Sequence, residues 1–164
     1  MTNCCYSQAD KANEMMSFAK DNYKFQYPKS WRLDTLTKWG PELFVFSPLE
    51  GESDKFSENV NVSIQNLGGQ NIDLTQYKQI TDKQVEDLAT DGEIFESSIV
   101  KTSKGEFFRI TYAMTQGKFR LKITTVCLIS DDRAYLATFS SELDKYDNYK
   151  KIGEQILSSF SLIK

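Results

Sequence analysis

The chain predicts an α+β fold, a three-layer α/β/α sandwich built on a central antiparallel sheet. Two observations carry this expectation. From Glu106 to Ser141, three apolar-alternating segments are joined by short turns into an antiparallel meander whose far end is apolar on both faces. Segments with helical apolar spacing precede and follow this meander, and a sheet that is apolar on both sides needs a covering layer on each.

Taken in order, Ala9, Ala12, Met15, Met16 and Ala19 recur at helical spacing across residues 8–22. They predict an amphipathic helix forming an N-terminal arm over residues 1–22, ahead of a single domain over residues 23–164. Tyr23, Phe25 and Tyr27 alternate with Lys24 and Gln26, a strand ended by Pro28 with Trp31 as an anchor behind it. Leu43 to Phe46 reads as a second strand, stopped by Ser47 and Pro48. Residues 49–58 are acidic and contain glycine and serine, the pattern of an exposed loop. Val60, Val62 and Ile64 alternate with Asn61, Ser63 and Gln65, a third strand closed by Gly68 and Gly69.

Asp73 is placed to cap a helix carrying Tyr77, Val85, Leu88 and Ala89, with Asp91 and Gly92 as the stop. Residues 93–102 open the long sheet through Ile94, Ile99 and Val100. A two-residue turn at Gln116-Gly117 sets Phe108, Ile110, Tyr112 and Met114 opposite Thr125, Ile123, Leu121 and Phe119. The other face of that hairpin carries Arg109, Thr111, Arg120, Lys122 and Thr124. A second turn at Asp131-Asp132 puts Ala134, Leu136 and Thr138 on the first face and Tyr135, Ala137 and Phe139 on the second. Tyr149, Ile152, Ile156, Leu157 and Phe160 then mark the closing helix, with residues 161–164 as a tail.

With 164 residues, 40% of them hydrophobic, the chain has material for one core. A net charge of -3 argues against a nucleic-acid surface. The sequence holds no histidine, which removes Ser-His-Asp and Cys-His nucleophiles and His-ligated zinc or haem. Neither a cofactor nor a metal is expected. No run reaches the roughly 20 apolar residues of a membrane-spanning helix. Cys127 alternates onto the inner sheet face as a small hydrophobe. Cys4 and Cys5 are adjacent and unsuited to bridging each other, since consecutive alpha carbons lie about 3.8 Å apart. They are candidate lipid-attachment sites if the chain is a trimmed bacterial lipoprotein, periplasmic or membrane-anchored; if Met1 is the native start, the protein is expected to be cytoplasmic.

Among binding candidates, Arg109, Arg120 and Lys122 share one face and suit an anionic ligand or partner, or equally a fringe of ion pairs with nearby acids. Trp39, beside Lys38 and Gly40-Pro41, is the candidate exposed aromatic anchor, and with Trp31, Tyr27 and Phe44 it could line an apolar recess. Asp131-Asp132, Asp144 and Asp147 lack the ligand spacing of a calcium loop and read as turn chemistry. Glu50, Glu52 and Asp54 read as solvated loop acids rather than a hydrolytic pair.

Tyr23-Lys-Phe-Gln-Tyr-Pro-Lys-Ser-Trp31, then Asn59-Val-Asn-Val-Ser-Ile64, Ala134-Tyr-Leu-Ala-Thr-Phe-Ser140 and Ile156-Leu-Ser-Ser-Phe160 resemble, in content and order, the PsbP-like superfamily. The resemblance runs from Tyr23 to Lys164 and implies a central antiparallel sheet between helical layers. That superfamily includes an extrinsic photosystem II subunit, a Ran-binding nuclear import factor and bacterial exported proteins of unknown role, which share binding and assembly rather than a catalytic centre. The absence of histidine and of a basic N-terminal arm leaves the photosynthetic role without support here. The expectation is a non-catalytic module that binds a protein partner, the alternative being a carrier of a small apolar ligand between sheet and helix.

Overall fold

The computed structural model describes residues 14–38 and 40–163. The elements are β1 (Met15–Lys20), β2 (Tyr23–Pro28), β3 (Arg32–Asp34), β4 (Leu43–Phe46), β5 (Asn59–Asn66), α1 (Leu74–Leu88), β6 (Glu93–Thr102), β7 (Gly105–Gln116), β8 (Phe119–Ser130), β9 (Arg133–Glu142), α2 (Tyr146–Ser159) and β10 (Ser161–Leu162). Seven strands form one antiparallel sheet in the order β3-β4-β5-β9-β8-β7-β6, and β1-β2-β10 form a second, smaller one.

Alternation along β7, β8 and β9 builds both sides of the core. On one side Phe108, Ile110, Cys127 and Ala134 pack against Tyr77 and Val85 of α1. On the other, Val126, Tyr135, Ala137 and Phe139 meet Tyr146, Ile156 and Leu157 of α2. Each such aliphatic or aromatic side chain stabilises the fold by about 1.5–3 kcal/mol when fully buried. The sheet is therefore covered on both faces, as the meander predicts. Tyr23 and Phe25 of the small sheet join the α2-side core, so α2 is wedged between the two sheets.

Asp73 caps α1 by accepting the Gln76 backbone N–H at 2.8 Å, while the Gln76 side chain accepts from the Asp73 N–H at 3.0 Å. Such a capping box is worth about 0.5–2 kcal/mol. No comparable side-chain cap starts α2, where Lys145 occupies the cap position. Tertiary packing and the ion pairs of Lys145 hold that end instead.

The structure corrects four expectations. The predicted N-terminal helix is not formed by residues 15–20, which are strand β1 paired with β2 from Met15↔Pro28 to Lys20↔Tyr23; the rest of the proposed arm lies largely outside the described residues. The C-terminal tail contributes β10, with Ser161 opposite Lys24 and Leu162 opposite Tyr23. The first hairpin turn is Gly117-Lys118, because Gln116 pairs with Phe119 and Phe108 with Cys127. Sliding a two-residue turn by one position moves each partner by two residues, so side-chain alternation and both faces survive. Gly117 takes φ 59 at the first central position, where a glycine carries the left-handed conformation without a Cβ clash. The second turn is at Asp131-Asp132, with Ser130 opposite Arg133.

The fourth correction concerns residues 49–58. Leu49, Glu50 and Glu52 are exposed, but Asp54 and Glu58 are buried, so the acidic loop is folded against the body. At the opposite sheet margin β6 pairs, among the described residues, only with β7, and its register shifts between Ile94 and Glu96, leaving Phe95 as a bulge.

Candidate functional site

Three places gather chemistry. The first is the sheet face carrying Arg109, Arg120 and Lys122. Arg109 donates to Glu154 of α2, with Nη1 to Oε2 at 3.1 Å, and approaches Glu96 at 3.5 Å. Lys122 Nζ lies 4.6 Å from the ring centroids of both Phe95 and Tyr146. Arg120 is 3.5 Å from Glu93 and donates to the Asp91 carbonyl. Each cation thus has a partner within the fold, and the three do not converge on a common point. Beneath them, Tyr146 OH and the Thr124 hydroxyl are 2.6 Å apart, and Thr111 and Thr124 hydroxyls 3.0 Å apart, a polar seam that fastens α2 to the sheet.

Nearby, Phe107, Arg109, Val126, Leu128, Leu157 and Phe160 line an apolar cavity of about 90 Å³ between the sheet and α2. Pockets for drug-sized ligands run about 300–1,000 Å³, so this volume is far short of a carrier site.

The second place centres on Lys145. Its ammonium is 3.0 Å from Asp54, 3.2 Å from Glu142 and 3.4 Å from Glu50. The Tyr149 hydroxyl donates to Glu50 at 2.9 Å. The Asp54 carboxylate accepts the backbone N–H of Glu50 at 2.9 Å and of Phe56 at 3.2 Å. The Glu50 N–H and then the Lys145 ammonium hold the Asp54 carboxyl down to about 2. In turn the Asp54 hydrogen bond raises Lys145 above its ordinary range and favours its charged form. Glu58, 0% exposed, accepts long bonds, 3.4 Å each, from the Ser47 and Ser141 hydroxyls, and the backbone N–H groups of Glu58 and Glu142 favour its charged form. Burial pushes its carboxyl above the usual value. Glu58 was beyond sequence reasoning: its burial depends on Ser141 and Lys145, more than eighty positions away.

The third place is the loop between β3 and β4. Asp34 Oδ1 accepts the Leu36 backbone N–H at 3.1 Å, and Arg32 donates to Asp34 at 3.2 Å. The Thr37 hydroxyl closes the loop on the Pro41 carbonyl at 2.5 Å. These bonds hold Leu36 89% exposed. Beside it, Lys20, Thr35, Thr37, Lys38, Gly40, Pro41 and Glu42 line an open polar groove of about 400 Å³. Trp39 belongs to this loop by sequence and lies outside the described residues, as do Cys4 and Cys5.

Of the expected aromatic recess, the described members do not all converge: Tyr27 and Trp31 share one core cluster and Phe44 stands apart. Trp31 is buried in the α2-side core, 6.4 Å from the Tyr149 ring, whereas Phe44 stacks on Phe46 at 5.2 Å on the alternate side of β4. Asp131 and Asp132 have φ 51 and 58, the backbone of a tight turn. Burial pushes the Cys127 thiol up to about 12, the behaviour of an inert core residue.

A family model described as PsbP matches residues 13–162. Among solved structures, CyanoP, the cyanobacterial PsbP of Synechocystis sp. PCC 6803, aligns with TM-score 0.67 and 14% identity over 99% of each chain. LpqN of Mycobacterium tuberculosis, involved in cell envelope biogenesis, aligns with TM-score 0.65 and 11% identity over 97% of this chain and 98% of its own. A Pseudomonas aeruginosa protein of unknown function gives TM-score 0.61 and 9% identity over 87% of this chain and 93% of its own. At these identities the likeness concerns the fold. Among curated proteins, no sequence relative matches.

Proposed function

This chain belongs to the PsbP family, and from that premise we propose that it is a non-catalytic protein-binding or assembly module whose β3–β4 loop docks the partner. The observation that carries this reading is Leu36, an apolar side chain almost fully in water on a loop whose conformation is fixed by Asp34 and Thr37. A large apolar group held rigid before binding loses little conformational entropy when a partner covers it. Lys20, Lys38 and Glu42 around the groove supply a charged rim of the kind that surrounds such anchors.

Catalysis is the poorer reading, because the chain has no histidine and the acids around Lys145 favour its charged form. A carrier role is not adopted, since the cavity of about 90 Å³ is too small for the ligands such proteins hold. The test is affinity capture from the source cell with wild-type protein and with Leu36→Asp and Trp39→Ala variants of unchanged Tm. One polypeptide retained by wild type and lost with either variant supports the proposal. Equal retention by all three overturns the loop assignment, and recovery of only a small molecule overturns protein binding.

A further inference from the structure

The β4–β5 loop is fastened to the N-terminal end of α2 by charges that do not balance. Glu50 and Asp54 from the loop and Glu142 from the end of β9 surround one cation, Lys145, within 3.4 Å. Glu58, where the loop enters β5, is sealed from solvent behind them, between Ser47 at the end of β4 and Ser141 of β9. Tyr149 of α2 donates to Glu50 and closes the set. The Lys145 ammonium forms no direct ion pair with Glu58; its attraction from a distance is opposed by repulsion from Asp54. With a proton on Glu58, one lysine answers three carboxylates; without it, a fourth negative charge is enclosed, and its burial outweighs the support of two long serine bonds, the Glu58 and Glu142 amides and the more distant Lys145.

We propose that Glu58 is the release of a pH-operated latch: the β4–β5 loop is held on α2 while the Glu58 carboxyl is protonated, and opens when it ionises.

The loop backbone is built to respond as a unit. Ser47 N–H bonds to the Glu58 carbonyl at 2.8 Å, and the Glu50 and Phe56 amides both end on Asp54. Phe56 packs on Phe119 of β8 with centroids 5.2 Å apart, so opening withdraws an aromatic cover from the sheet end. The sign follows from linkage. A carboxyl whose folded value lies above its unfolded one favours the closed form fully below the unfolded value, and that advantage is lost as pH rises through the folded value. Asp54 acts in the opposite sense, holding the loop until acid falls toward about 2.

Hydrogen exchange of the intact protein from the ordinary glutamate range upward in pH, corrected for intrinsic chemistry, tests this at the Ser47, Glu50 and Phe56 amides. Protection is expected to fall by up to about tenfold per pH unit between the ordinary glutamate range and the Glu58 midpoint, and to level off above it, while β8 amides keep theirs. E58Q is expected to hold the loop closed throughout. A second measurement needs no variant: the Glu58 carboxyl carbon shift, followed by NMR, should titrate at the pH where the protection loss levels off. Loop protection that ignores pH, a loss that continues above the Glu58 titration, parallel loss at β8, or an E58Q profile like wild type would each overturn the latch.

Discussion

Gly153 of α2 lies against the ring of Phe139 on β9, so closely that a Cβ at position 153 would stand 2.6 Å from Phe139 Cδ1 and 2.7 Å from Cγ. The helix reaches the sheet there because that residue has no side chain. Alanine is the better helix former by about 1 kcal/mol, but overpacking a filled core costs about 1–3 kcal/mol. Gly153→Ala is therefore expected to lower stability by about 1 kcal/mol in urea unfolding. A variant as stable as wild type would mean that Phe139 or α2 moves aside freely.

Tyr23 is fully buried and its hydroxyl finds no partner among the described residues. Desolvation pushes that phenol up to about 12. An unsatisfied buried hydroxyl costs about 1–3 kcal/mol, so Tyr23→Phe should leave stability unchanged or raise it, with the Phe160 contact kept. A loss above about 1 kcal/mol would reveal a partner, such as an enclosed water.

Arg109 and Glu154 join the sheet to α2 across a largely covered interface. A double-mutant cycle with Arg109→Met and Glu154→Gln is expected to give a coupling energy of about 0.5–3 kcal/mol, falling little at high salt because the pair is shielded from ions. Coupling near zero would reduce the pair to surface decoration.

At acid pH, Asp54 should govern part of the unfolding profile. Its carboxyl is lower folded than unfolded, so its contribution is present above the ordinary aspartate range and lost as pH falls toward about 2. Asp54→Asn is expected to flatten that limb of a Tm-against-pH curve; a curve parallel to wild type would contradict the Lys145 contact.

Local pattern made the two-faced meander, the capped α1 and the apolar stripe of α2 legible before any coordinates. The misplaced turn at Gln116-Gly117 did no harm to the faces, because pairing errors of two residues preserve alternation. Residues 15–20 misled for a specific reason. Met15 and Phe18, three positions apart, are the half-covered residues of β1, so this edge strand carries a helical rhythm with no period of two. Its strand state depends on Tyr23, Phe25 and Tyr27 across the hairpin. The Glu58 cluster was hidden because its members come from β4, the following loop, β9 and α2. Leu36 stood in the sequence as an unremarkable loop leucine; only Asp34 and Thr37 bonding to the backbone shows it held outward.

The irregularity at Phe95 makes the longest free margin of the sheet a poor template. Before it, Ile94 faces the same side as Tyr112; after it, the odd-numbered residues from Ser97 take over that side. A foreign strand laid along β6 would match on one half and be inverted on the other, and would meet the charged side chains of Glu93, Glu96 and Lys101. Fibre growth by strand addition is frustrated at its first step, and the protein can be concentrated without its own edge recruiting further copies.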